Sequence, residues 1–545
     1  MTMKKKYLFV FLGVVALLQI MANAIGLCYN VDSIYDEGFL YYCQQSALRG
    51  SIGGMSQNAN IIASLLGSGG CETIYGLRIA RFCMTLLTAF VFAIMTAGTL
   101  IKKVSEKIGY IIICLLMVVP VMGGIVLSYN GLAQLFDCLA LAMGYIVLTK
   151  ESRWNYVCCF LMGILLVFGL FSILPSALLL MGCLFVLLLI RYWKEPGKIG
   201  LNAGSVIGGM LVGFTLFHVF VVDLRSVLSA MQDTAASVTT LNRGYDPISF
   251  IVKIVLFLRD WMLMGLVVIG VMFISQKIAD NTRKWIGGFI LIGLMSVYAH
   301  YQLKPIVTVA MLMSALWISV LFSNNQRIIC RDLFSFDSLL NLFLMFAPLL
   351  LSIGTNTYLG GKMAYFLLPW ALLLYRLKWH ENETIIVFAM SLFVGIGLCT
   401  NLIGVPKMIQ TQKTIVTEGP LKGMHLTDKQ AEHFALCDSI MSEYGFEKNN
   451  SVVFTTQLGT MTNCYLGARS YANYFQPMDF VANPSNGNGI PDFLFLCDFD
   501  EDIAGETLKT MNWGWPDDFD VFDVGTPEIV DTGYPTTRKL YCRKK

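Results

Sequence analysis

The sequence predicts an α-helical polytopic membrane protein, of about thirteen transmembrane helices, carrying a small extracytoplasmic α/β domain at its C-terminal end. Three observations predict it. Of 545 residues, 56% are hydrophobic and 14% charged, a balance too apolar for an ordinary soluble protein. Apolar runs of about 20 residues, the length that crosses a hydrocarbon core about 30 Å thick, recur from Tyr7 and stop near Gly404. The tail beyond them changes character: from Val405 to Lys545 it holds 12 Lys/Arg against 19 Asp/Glu, whereas the chain as a whole is net basic. The chain therefore divides into 1–404, a transmembrane domain, and 405–545, a soluble one.

Taken in order, the spans are expected at 7–27, 82–101, 108–128, 131–149, 156–172, 173–191, 200–222, 254–275, 285–300, 305–322, 338–354, 363–377 and 385–402. Lys4, Lys5 and Lys6 ahead of Tyr7–Leu27 have the form of a signal peptide, and Ala22-Asn23-Ala24 resembles a cleavage site. The apolar run continues to spanning length, which favours an uncleaved first helix. Alternate loops are basic: Lys4–Lys6, Lys102/Lys103/Lys107, Lys150/Arg153, Arg191/Lys194/Lys198, Lys277/Arg283/Lys284, Arg327/Arg331 and Arg376/Lys378. The excess of Lys and Arg on that side predicts a cytoplasmic N-terminus, and an odd number of spans places the tail outside. The expected location is a bacterial plasma membrane.

Two outer loops are long, 28–81 and about 223–253, and long loops are where function concentrates. In the first, Ser51-Ile52-Gly53-Gly54 and Gly67-Ser68-Gly69-Gly70 predict several short pieces rather than one helix. Cys28, Cys43 and Cys71 in this loop, and Cys437, Cys464, Cys497 and Cys542 in the tail, would be able to pair outside the cell, with connectivity open. In the tail, Ser451-Val-Val-Phe-Thr-Thr, Asp492-Phe-Leu-Phe-Leu-Cys and Lys539-Leu-Tyr-Cys read as strands, and Asp428–Tyr444 as an amphipathic helix.

Asp36 and Glu37 stand side by side just outside the first span, ahead of the aromatic-rich Phe39-Leu40-Tyr41-Tyr42. If that stretch is helical, Asp32 and Asp36 share a face while Glu37 points about 100° away. A carboxylate at a half-buried interface is the group that takes a proton from a hydroxyl nucleophile, so Asp36 and Glu37 are the catalytic candidates. Together they would also suit a divalent cation, Mg2+ or Mn2+. A solvated acidic loop is the plainer alternative.

Cations at outer helix mouths run against the orientation bias, and a lipid phosphate is a natural reason for them. Arg78, Arg81, Arg225, Arg243, Arg259, Lys304 and Lys362 are of this kind, with His300 beside them. Arg78, Arg243, Arg259, His300, Lys304 and Lys362 are the expected phosphate contacts; the alternative for each is a snorkelling side chain. Tyr35, Asn130 in an expected Tyr129-Asn130-Gly131 turn, and Asn356 in the polar loop Gly354–Lys362 are the expected substrate contacts. Trp513-Gly514-Trp515 offers two indoles for stacking on a sugar, though core packing is the commoner use. The Asp498, Asp500, Glu501, Asp502 cluster lacks calcium-loop spacing. Phosphate-loop, nucleophile-elbow, His/Cys metal and nucleic-acid-binding patterns are missing from the sequence.

The stretch Ile34-Tyr35-Asp36-Glu37-Gly38-Phe39 in the first outer loop, the inside N-terminus, the number of spans and the outer C-terminal domain together resemble the GT-C superfamily of polytopic glycosyltransferases. The likeness is to bacterial relatives of protein O-mannosyltransferases and lipid A aminoarabinose transferases. Trp513-Gly514-Trp515 is not the Trp-Trp-Asp-type acceptor motif of the oligosaccharyltransferases in the same superfamily. The resemblance implies transfer of a sugar from a polyprenyl-phosphate donor to a glycan, lipid or protein acceptor on the outer face, with a first-loop carboxylate as base. Two other classes stand beside it. A transporter or flippase would place ionisable groups at mid-membrane, where only Asp137, Asp223 and His218 are candidates. A non-catalytic scaffold would use the tail to bind a partner.

Overall fold

The computed structural model describes residues 3–29, 37–48, 57–119, 122, 126–228, 251–252, 254–256, 259, 335–354, 362–376, 404–455, 460–471, 491–497, 508–509, 513–525 and 538–544. Most of the spans expected at 254–275, 285–300, 305–322 and 385–402 lie outside these residues. Within them the protein is a helical membrane protein with a small sheet-bearing tail.

Nine helices of the described residues precede residue 221: α1 (Met3–Gly26), α2 (Glu37–Leu48), α3 (Gln57–Cys71), α4 (Ile74–Leu100), α5 (Val104–Val118), α6 (Tyr129–Thr149), α7 (Asn155–Ser172), α8 (Leu174–Tyr192) and α9 (Pro196–Phe220). Among the described residues, six helical stretches are long and apolar enough to cross a membrane: Phe9–Gly26, Ile74–Leu100, Tyr129–Thr149, Asn155–Ser172, Leu174–Arg191 and Pro196–Phe220. Three expected spans are shorter than expected. α5 has 15 residues and stops two residues before Pro120, where the helix would lose a backbone donor. The others are α10 (Phe336–Leu351) and a 3-10 turn, Ala364–Phe366, leading into α11 (Leu368–Arg376).

Most spanning helices bury one face and leave apolar residues exposed on the other, as lipid requires, whereas α6 is largely enclosed. In α1, Phe9, Leu12, Val15 and Ala16 are buried while Val10, Phe11, Val14, Leu17 and Leu18 are exposed. The bundle core runs through α1, α4, α5, α6, α7, α8, α10 and α11, with Trp370 enclosed and its indole N–H donating to Met345 O at 2.9 Å. The closest packing is between α7 and α9. A Cβ at Gly209 would strike the Phe160 carbonyl, and one at Gly163 the Val206 carbonyl; small residues at this seam let the two backbones touch.

In the first long loop, α2 and α3 are the short pieces expected, and Gly67 kinks α3 at φ 64°, a left-handed conformation open to glycine. Tyr129-Asn130-Gly131 is not an interhelical turn but the opening turn of α6: Ser128 is the extended N-cap residue at φ −138°, ψ 177°.

The tail follows its predicted pattern. After the small hairpin β1 (Thr414–Ile415) and β2 (His425–Leu426) comes α12 (Asp428–Glu443), opened by a capping box between Thr427 and Gln430. Then follow β3 (Val452–Thr455), α13 (Thr460–Leu466), β4 (Arg469–Ser470), β5 (Phe493–Cys497), β6 (Phe519–Gly525) and β7 (Arg538–Arg543). The five-stranded sheet has the order β4-β3-β5-β7-β6, parallel at β4-β3-β5 and antiparallel at β5-β7-β6. Both faces are covered, which is why β5 reads as an unbroken apolar run. Phe493 and Phe495 pack with Cys437 and Met441 on one side, Leu494 and Leu496 with Trp513 and Tyr541 on the other.

The tail sits on the first long loop. Leu40, Tyr41, Ile61, Ile62 and Ile74 share one buried cluster with Leu421, Met424, Phe434 and Met461. Backbone bonds cross the same boundary: Ile74 N–H donates to Pro420 O at 2.9 Å, and His425 N–H to Cys28 O at 2.7 Å. Tyr42 O–H donates to Ala468 O at 3.1 Å. The first loop and the tail are therefore on one side of the membrane. Among the described residues, Cys28, Cys43, Cys71, Cys437, Cys464 and Cys542 are free thiols.

Candidate functional site

The site begins where α1, α2 and α4 meet. Glu37 opens α2, where a carboxylate suits the positive end of the helix dipole, and Arg78 lies in the second turn of α4. Both side chains are fully buried. Arg78 Nε donates to Glu37 Oε1 at 2.8 Å and Nη2 to Oε2 at 2.5 Å, a bidentate fork. Its Nη1 donates to the carbonyls of Leu27, 3.0 Å away, and Tyr29, 2.6 Å away. One guanidinium thus ties the end of α1 and the start of α2 to α4.

This geometry changes the roles expected for the pair. Arg78 has its charge met by Glu37 rather than turned toward a lipid phosphate. Glu37 has both oxygens on Arg78, so it does not suit a cation shared with Asp36. Among the described residues no group of three or more His, Cys, Asp or Glu side chains is placed to hold a metal.

One turn further along α4, Arg81 is buried and its guanidinium lies 5.0 Å from the centre of the Tyr365 ring. Lys362 approaches the same ring at 6.0 Å and the Tyr129 ring at 4.8 Å, and its Nζ donates to Tyr129 Oη at 3.2 Å. Tyr365 thus has two buried cations near it, one from α4 and one from the segment that precedes α11. Tyr129 is the first residue of α6, so Lys362 stands at that helix's N-terminus.

The N-terminus itself is open. Ser128, at the N-cap position, makes no side-chain cap bond, although Ser is among the best capping residues. Among the described residues, the buried Ser128 Oγ and Asn130 Oδ1 have no hydrogen-bond partner. Deeper in α6, Gln134 Oε1 accepts from Thr85 Oγ1 of α4 at 3.3 Å, while Gln134 Nε2 is buried without a partner among the described residues. A dipole end, two cations and unmatched hydrogen-bonding groups make an arrangement suited to an anion with polar substituents.

The sequence-based candidates thus separate. Lys362 and Asn130 converge at the N-terminus of α6; Arg78 and Glu37 form the adjoining brace. Arg259 is exposed in a helical segment, with no described link to this site. Asp36, Tyr35, Arg243, His300, Lys304 and Asn356 lie outside the described residues, as does the acidic cluster at 498–502. Trp513 packs edge-on against Phe454 and Tyr471 inside the tail, and Trp515 lies 4.4 Å from Tyr541 ring to ring, so both indoles are used in packing. Ser128, Tyr365 and Gln134 are not singled out by the sequence. The available signal is helical spacing: Gln134 follows Asn130 by four, and Tyr365 follows Lys362 by three.

Asp137 lies in the next turn of α6. It is fully buried, its Oδ2 accepts from Ser176 Oγ at 3.2 Å, and Gly169 packs directly onto Oδ1. His218 and Asp223 form a half-exposed pair 3.3 Å apart at the end of α9, away from mid-membrane. A scan against protein-family models and a search of curated proteins each found no match to this chain.

Proposed function

We propose that the chain is an inverting glycosyltransferase of the GT-C type, moving a sugar from a polyprenyl-phosphate donor to an acceptor on the outer face of the membrane. The observation that carries this reading is the convergence of Arg81 and Lys362 on Tyr365 at the uncapped N-terminus of α6. A lipid-linked phosphate has to be met at the membrane surface, and this is where the helical bundle adjoins the loop and tail cluster. Charge-assisted donors there would stabilise the phosphate as it departs, the step at which its negative charge grows.

In the proposed reaction the acceptor hydroxyl attacks the anomeric carbon from the face opposite the phosphate. The anomeric C–O bond breaks, its electron pair leaves with the polyprenyl phosphate, and the hydroxyl proton passes to a carboxylate. Asp36 is the proposed base. It is the residue bonded to Glu37, and Glu37 is fixed by Arg78. The tail resting on α2 and α3 would close the acceptor side. About thirteen spans, a cytoplasmic N-terminus and a bacterial plasma membrane belong to the same proposal.

Purified protein in nanodiscs, supplied with labelled polyprenyl-phosphate sugars and candidate acceptors, tests it by turnover. One observation favours a transporter instead: Asp137 is a buried acid inside a span. The direct packing of Gly169 on its carboxylate speaks for a closed helix junction rather than a substrate path. Vectorial lipid movement without transfer in the same nanodisc preparation, reconstituted into vesicles, would select the transporter.

A further inference from the structure

We propose that Asn130 and Gln134 form the hydroxyl-reading subsite for the sugar of the lipid-linked donor, beside the cations that take its phosphate. The proposal rests on the glycosyltransferase reading and adds the residues that distinguish a sugar-bearing lipid phosphate from a bare one. Asn130 and Gln134 are four apart on α6 and so share a face, as Arg81 and Thr85 do on α4. The two faces meet: the Arg81 stem lies against Gly131, and Thr85 donates to Gln134. Arg81 and Gly131, the residue after Asn130, thus form the upper tier and Thr85 and Gln134 the lower.

Within this seam the hydrogen-bonding inventory is unbalanced. Among the described residues, Asn130 Oδ1 is an acceptor with no donor, and Gln134 Nε2 carries donors with no acceptor, its own Oε1 being held by Thr85. Both side chains are more than nine-tenths buried. Leaving such groups unmatched in a helix seam is costly, and an apolar residue at either place would pack without that cost. A vicinal diol supplies what is missing, since one hydroxyl donates to Asn130 Oδ1 and its neighbour accepts from Gln134 Nε2. The phosphodiester that links sugar to lipid carries acceptors and no O–H donor, so the match is to the sugar hydroxyls and not to that phosphate.

The experiment measures binding of polyprenyl phosphate, bare and carrying glucose, mannose or aminoarabinose, to the full-length protein in nanodiscs. At least one sugar-bearing lipid is expected to bind about 10-fold or more tightly than the bare lipid, the worth of one to two hydrogen bonds. Asn130→Ala and Gln134→Leu each remove most of that advantage and leave bare-lipid affinity within about two-fold of the parent. Lys362→Ala weakens both lipids alike. Gln134→Leu guards against misfolding, because it deletes a buried unmatched NH2 at the cost of one long bond from Thr85 and is expected to leave the thermal midpoint close to the parent's. The proposal is overturned if no sugar-bearing lipid binds more tightly than the bare one, or if both variants keep the parental ratio. If no lipid phosphate binds at all, it is the donor reading itself that falls.

Discussion

Glu37 and Arg78, 41 residues apart in sequence, close on each other as a fully buried bidentate pair at the junction of three helices. In the interior of an outer-loop cluster such a pair gains little over an apolar pair of the same shape, yet removal of one partner strands a buried charge. Arg78→Ala is therefore expected to lower stability by about 3 to 5 kcal/mol, and Glu37→Gln by a similar or smaller amount. The double variant Glu37→Met/Arg78→Leu should be less destabilised than the two single effects added together. Unfolding in matched detergent, arranged as a double-mutant cycle, gives the coupling; additive effects would mean the pair does not act as a brace.

Arg81 and Lys362 are expected to behave differently from that brace. On the proposed reading each loses a charged contact to phosphate when cut to alanine, which would be worth about 1.5 to 3 kcal/mol in transition-state stabilisation. Arg81→Ala and Lys362→Ala should therefore lower kcat/KM for the donor by about 10- to 100-fold while the acceptor KM holds. Parental donor kinetics in both variants would reduce the two cations to packing partners of Tyr365.

The α7–α9 seam sets a stability expectation independent of function. At Gly209 a Cβ meets the Phe160 carbonyl, a backbone atom that cannot swing aside. Gly209→Ala is expected to cost about 1 to 3 kcal/mol, in the range of overpacked cores, whereas Gly208→Ala, where the nearest atom is the Phe160 ring at 3.9 Å, should be close to neutral. Thermal midpoints of the two variants in one detergent check the contrast.

In the tail, His433 is buried with Nδ1 3.0 Å from Val524 O and Nε2 3.8 Å from the Cys437 thiol. Burial lowers its pKa from 6.5 to about 4, Arg538 adding to the effect and the Val524 carbonyl opposing it. The unfolded chain takes up a proton below about pH 6.5 that the folded tail refuses until about pH 4. Stability from this group is thus complete above pH 6.5, declines as pH falls through that window and levels off below it, a loss of about 3 kcal/mol. Hydrogen exchange of α12 in the full chain should rise between pH 6.5 and pH 4 after correction for intrinsic rates, and His433→Gln should flatten that rise.

The docking of the tail on α2, α3 and the start of α4 bears on topology. With α4 crossing the membrane between the first loop and α5, Ser105 in the first turn of α5 and Ser451 in the tail are expected on opposite faces. Single cysteines placed at the two positions should label from opposite sides; labelling from the same side would contradict the arrangement.

How much of this was legible in the sequence varies with the kind of signal. The strand Phe493–Cys497 and the helix Asp428–Glu443 announce themselves, one by an unbroken apolar run and the other by periodicity and a capping box. The membrane helices announce themselves by length. The start of α6 did not: Asn130-Gly131 has turn chemistry, but Tyr129, packed beneath Lys362, lies already inside the helix. The partner of Glu37 was likewise hidden, because nothing local relates it to Arg78. From the sequence both read as ionisable residues at a helix mouth, and only the fold shows that they neutralise each other, leaving Arg81, one turn on, beside Tyr365. Asn130 was legible as a polar residue at a helix mouth; Gln134 looked like one more residue in a span.

The central claim is sugar transfer with a first-loop carboxylate as base, and turnover of labelled polyprenyl-phosphate sugars by parent and Asp36→Asn protein in matched nanodiscs tests it most directly. The amide keeps the shape of the side chain and removes the proton acceptor. The account expects turnover by the parent, with Asp36→Asn slower in kcat by about 10² to 10⁴ and donor binding nearly unchanged. No transfer by the parent from any donor in the panel, or an Asp36→Asn variant as fast as the parent, would contradict it.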